Sequence, residues 1–145
     1  MRDLLIGVPL FVGLGPEALA LLEAHAREST VAAGHRVVGE GEPGRHVFIV
    51  ARGNVRVFKS GRNGSCELAR LREGGHFGEL SLLDREERSA SVEAVTETRL
   101  VLVPFIAFEI LMNRHPLEYA RVMENLARHM AGRLRVVDER LLTGE

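Results

Sequence analysis

Residues 77–91 read FGELSLLDREERSAS and place a carboxylate, Glu79, close in sequence to a guanidinium, Arg88, and a hydroxyl, Ser89. Between them lies a short apolar turn, residues 80–83, cut off by the charged run 84–87. The first N–H groups of such a turn have no partner inside it and point outward, which suits an anion. Gly78 lets a ligand approach the backbone closely. Arg88 offers a planar fork of donors that matches two phosphate oxygens, and Ser89 adds one more donor. A carboxylate beside an anion site repels the ligand unless that ligand has hydroxyls to donate. Glu79 and Arg88 together therefore describe a phosphate on one side and a sugar hydroxyl on the other, the two ends of a compact nucleotide. The plain alternative is a turn with a surface arginine and a capping glutamate.

Positioning these groups requires the rest of the chain. Residues 8–26 read as helical, with Pro16 tolerated at a first helical position, Leu19, Leu22 and Ala26 on one face, and Phe11 and Leu14 against it. From residue 29 to 103 the period changes to two. Short β-branched or apolar runs fall at 37–38, 47–50, 55–58, 68–71, 91–95 and 99–103. Gly39, Gly41, Pro43-Gly44, Gly53, Gly61, Asn63-Gly64 and Gly74-Gly75 separate them, and Asn63-Gly64 signals a hairpin. Many short, evenly spaced strands predict a β-roll or barrel rather than a parallel sheet. Residues 105–112 are again helical, with a break at His115-Pro116. A longer helix over 117–142 carries Tyr119, Met123, Leu126, Met130, Leu134, Val137 and Leu141 at coiled-coil-like spacing, a candidate dimer seam.

The pattern at Phe77, Gly78, Glu79, Leu80, Ser81, Leu82, Leu83, Arg88, Ser89 and Ala90 resembles the phosphate-binding cassette of the cyclic nucleotide-binding domains, of the catabolite activator protein and protein kinase A regulatory subunit type. The glycine-punctuated stretch around Gly41, Gly44 and Gly53 fits the same family, and the resemblance runs over residues 9–140. It implies an α+β, mainly β fold: a jelly-roll β-barrel over 29–103 between an N-terminal helical part, 8–27, and a C-terminal hinge and lid or dimer helix, 105–142, all in one domain. It implies that Arg88 pairs with a cyclic phosphate, that Ser89, Ala90 and the backbone at Leu80 and Ser81 line that group, and that Glu79 accepts from the ribose 2′-hydroxyl. Val57 and Leu68 resemble residues that pack on the base. On the last helix a gap-free alignment brings Arg133 and Leu134 to the base, and a one-turn slip brings Val137 and Asp138; Arg133 or Arg135 would stack on a purine without selecting it. Cyclic AMP stands ahead of cyclic GMP by frequency alone, since Ser89 fits both. The implied role is regulatory signal transduction by a homodimer, with no catalysis, no metal, and no direct contact with nucleic acid or membrane.

Composition narrows the alternatives. Hydrophobic residues at 46% and charged residues at 27% of 145 are those of an ordinary globular domain, and a net charge of −1 argues against a polybasic surface. Cys66 is the single cysteine, which removes an internal disulfide or a cysteine-based zinc site and fits a reducing cytoplasm. The apolar N-terminus is interrupted by Asp3 and Pro16 and reads as no signal peptide, and no run is long enough to span a bilayer. The resemblance reaches no helix-turn-helix, kinase or channel part, so the chain reads as a sensor without an attached effector or as a piece of a longer protein. Three other readings compete. A cupin-type metalloenzyme would use His35, Glu42 and His46, but Phe48 stands where its second histidine belongs. A phosphodiesterase would need a metal or a placed base, and His76, read as a loop histidine, is the one candidate near the cassette. A ligand-free interaction module would use the barrel as scaffold for the seam.

Overall fold

Val47 to Val50 form an unbroken apolar run because the strand that holds them is covered on both faces. That strand is β3 (His46–Arg52), in the computed structural model that describes residues 1–143. It pairs antiparallel with β8 (Thr98–Pro104), in register Val47 to Val103 and Phe48 to Leu102. With β1 (Arg27–Val31) and β6 (His76–Phe77) they make a four-stranded sheet of order β1-β8-β3-β6. The second sheet has β2 (Arg36–Val38), β7 (Ser91–Ala94), β4 (Val55–Gly61) and β5 (Gly64–Leu71) in the order β2-β7-β4-β5.

Alternate residues of β3 and β8 serve two cores. Phe48, Val50, Leu100 and Leu102 meet Val38, Val55 and Val92 between the sheets. Val47, Ile49, Val101 and Val103 join the helices on the outer face. Those helices are α1 (Arg2–Ile6), a 3₁₀ turn (Pro9–Phe11), α2 (Pro16–His25), α4 (Phe105–Arg114) and α5 (Pro116–Thr143). Full burial of each Leu, Ile or Phe contributes about 1.5–3 kcal/mol, so the outer cluster is as much a core as the inner one. The architecture is the mainly β jelly-roll with terminal helices that the family resemblance implies.

Several expectations need correction. The helical part expected over 8–26 starts earlier, with α1, and is broken into three pieces. Gly13, at φ +83°, and the extended Gly15 interrupt it before Pro16 restarts the helix. The sheet region begins at Arg27 rather than 29: RESTV is almost wholly exposed along an edge, so no apolar alternation marks it. The hairpin exists, but its loop residues are Arg62 and Asn63, with Gly64 at φ +98° already paired to Gly61. The seam on α5 divides. Val122, absent from the expected seam, is buried with Leu126, and Tyr119, Met123 and Met130 pack beside them on the outer core. Leu134, Val137 and Leu141 instead remain 64%, 49% and 76% exposed. No described helix is long and apolar enough to cross a membrane.

Candidate functional site

The pairing of β6 with β3 sets Phe77 opposite Phe48, and their rings stack in parallel at 4.8 Å. Gly78 follows at φ +91°, turning the chain at the sheet edge. A Cβ there would stand 2.5 Å from Arg88 Nη1 and 2.8 Å from the His46 carbonyl oxygen, so only glycine fits. Beyond it the short helix α3 (Leu80–Asp84) runs one turn and ends at Arg85, in the left-handed region at φ +59°. The chain then returns beside residues 41–43. Arg88 N donates to Glu42 O at 2.7 Å, and Gly41 N donates to Arg88 O at 2.9 Å.

This return drives the Arg88 side chain inward, where it is 6% exposed. Nη1 donates to Gly78 O at 3.0 Å, Nη2 donates to His46 O at 2.8 Å, and the guanidinium carbon sits 5.6 Å from the centre of the Phe48 ring. Nε has no partner. Burial lowers the Arg88 pKa while Glu79 and Glu42 oppose the change, and an arginine remains cationic throughout. A buried cation with an unspent donor is costly unless an anion supplies the missing contact.

Arg88 lies on a cavity of about 390 Å³, within the roughly 300–1,000 Å³ typical of small-molecule sites. One wall is the cassette itself, with Phe77, Gly78, Glu79, Leu80 and Ser81 on one side and Ser89 and Ala90 beside Arg88. The opposite wall belongs to the second sheet, where Val57 of β4 and Leu68 of β5 face the same space. Arg133 of α5 closes the rim. These cassette residues, Val57, Leu68 and Arg133 thus line one cavity. Leu134, Arg135, Val137 and Asp138 do not line it. A larger, more open hollow near α1 holds none of the cassette residues.

Two histidines missed by the sequence reading line the cavity too, beside further neighbours such as Val38, Leu71 and Gly75. His76, expected to be an exposed loop histidine, is 8% exposed in β6, and His129 reaches in from α5 one turn before Arg133. Both flank Glu79, itself 3% exposed: His76 Nδ1 stands 3.4 Å and His129 Nε2 3.9 Å from Oε1. The His76 contact lacks hydrogen-bond alignment, so His76 Nδ1 has no bonded partner, and neither does Glu79 Oε2. Burial pushes the Glu79 carboxyl up, but the His76 ring, backbone hydrogen bonding and His129 together outweigh it and hold the carboxyl below its ordinary value. Burial, with His76 and Arg133 nearby, lowers the His129 pKa against the pull of Glu79. The i, i+4 spacing of His129 and Arg133 was the one available sign of a shared helix face. His35, Glu42 and His46 form no cation-sized group among the described residues.

Comparison with known proteins gives a consistent result. Residues 28–115 match the family model described as cyclic nucleotide-binding domain. The chain is 39% identical over 133 residues to the cyclic AMP receptor protein of Thermus thermophilus, covering 91% of this chain and 60% of that protein. It is 30% identical to the CRP-like cAMP-activated global transcriptional regulator of Mycobacterium tuberculosis, over 97% of this chain and 62% of that one. The crystal structure of the Thermus thermophilus catabolite activator protein superposes with a TM-score of 0.78 at 38% identity, covering 92% of this chain and 61% of that chain. The chain therefore spans about three fifths of the length of these relatives.

Proposed function

The chain belongs to the cyclic nucleotide-binding domain family, and from that premise we propose that it is a sensor for a cyclic mononucleotide, cyclic AMP ahead of cyclic GMP. One observation carries the reading: two buried, unpartnered groups of opposite character, Nε of Arg88 and Oε2 of Glu79, belong to one cavity. Arg88 pairs with the cyclic phosphate, helped by Ser89 and by the free N–H groups at Leu80 and Ser81. Glu79 accepts from the ribose hydroxyl. The base lies toward Val57 and Leu68, with Arg133 over it. The cyclic phosphodiester carries a single charge, which one guanidinium balances. Cyclic AMP is preferred because the two relatives described are named for it.

Residues 1–143 act in this reading as one cytoplasmic sensory unit with no catalysis of its own. A ligand that touches α5 only when the helix is docked favours the docked state, and the break between α4 and α5 is the hinge. The exposed Leu134, Val137 and Leu141 supply a contact for a second copy of the chain. That same stripe favours a second reading, an interaction module that ignores nucleotides.

Thermal unfolding with cyclic AMP, cyclic GMP, cyclic di-GMP and 5′-AMP separates the two. At about 100 times its dissociation constant a ligand adds roughly 2.7 kcal/mol, a shift of several degrees. A shift with a cyclic mononucleotide and none with 5′-AMP is expected. No shift with any of the four would leave the interaction module.

A further inference from the structure

We propose that His76, Glu79 and His129 form a three-ligand site for a divalent cation of the zinc class at the point where α5 meets the cassette. Their donor atoms, one from each residue, all lie within 4.8 Å of one another, the single such group among the described residues. Metal–nitrogen bonds of about 2.0–2.1 Å and metal–oxygen bonds of about 2.0–2.2 Å give a tetrahedron edges of roughly 3.3–3.5 Å. The separations from Glu79 Oε1 are 3.4 Å to His76 and 3.9 Å to His129. Imidazole nitrogens suit zinc-class ions, whereas magnesium takes oxygen ligands, so the donor set favours zinc or cobalt over magnesium. The remaining closure falls to His129, whose side chain is the most exposed of the three, at 35%.

A second observation points the same way. His76 Nδ1 is buried without a partner, 3.4 Å from Glu79 Oε1, and burying a polar group unpaired is unfavourable. Two imidazoles and a carboxylate are a donor set that zinc accepts, with a fourth position left open. All three residues line the same cavity. The ligands come from β6, from the residue before α3, and from α5. A bound cation therefore ties the helix to the cassette.

The test uses the untagged, metal-free chain and no nucleotide, so it stands apart from the nucleotide reading. Titration with cobalt(II) should give one equivalent of the intense visible absorption of tetrahedral cobalt, bleached by zinc. His129→Ala and Glu79→Gln should each abolish the band, and His25→Ala, at an exposed histidine on α2, should keep it. His129→Ala should unfold at the same temperature as the parent without metal, which separates a lost ligand from a lost fold. Absence of tetrahedral absorption, or a band that His129→Ala leaves intact, would overturn the site.

Discussion

The cassette and α5 enclose the same cavity but are held in place by different forces. The cassette is fixed by backbone: Arg88 and Gly41 exchange hydrogen bonds with residues across the loop, and the Arg88 fork is clamped by two carbonyls. α5 is fixed mainly by side chains, with Val122 and Leu126 in the outer core and Asn125 Nδ2 donating to the carbonyls of Leu10 and Val12. Backbone clamps hold one geometry, whereas apolar packing can be exchanged for other packing. In the proposed reading the first wall is preformed for a ligand and the second answers it.

The contrast can be broken at several points. Arg88→Ala should weaken cyclic nucleotide binding by at least tens-fold, in line with the roughly 2–5 kcal/mol for losing one partner of a buried charged pair, measured by calorimetry. Unchanged affinity would remove Arg88 from the phosphate role. On the other wall, Leu126→Ala should cost about 2–5 kcal/mol of stability by denaturant unfolding, as for a fully buried leucine. Gly78→Ala should cost about 1–3 kcal/mol, since a side chain there must adopt a positive φ and displace Arg88. Amide exchange sharpens the comparison further: nucleotide should raise protection over residues 105–142, while the bonded amides of Gly41, Glu42 and Arg88 stay protected with and without ligand. Equal protection of α5 in both states would end the lid proposal. Leu141→Glu should change stability by less than about 0.5 kcal/mol yet split a dimer seen by sedimentation, because Leu141 touches little in its own chain.

The cassette was legible in the sequence because its parts act locally. Gly78, Glu79 and Arg88 lie within one turn-and-return, and their spacing already encodes which atoms can meet. His129 was not legible, because its place depends on how α5 docks after 40 intervening residues between Arg88 and the helix-borne ring, a matter of tertiary packing. His76 sits in a two-residue strand, too short for any alternation to reveal burial. The α5 stripe was visible as a pattern, but a helix packed on its own core and one packed on a partner share nearly the same period, so the change of role after Met130 is set by tertiary packing.

The break at His115-Pro116 also gives α5 the proportions of a lever. His129 lies about 20 Å along the helix from Pro116, and Thr143 about 40 Å. A pivot at the break would therefore move the far end about twice as far as the point beside Glu79. A displacement of an ångström at the cavity would become about two at the tip, where the apolar side chains stand uncovered. The chain would then carry its own mechanical gain, set by nothing more than where a proline interrupts two helices.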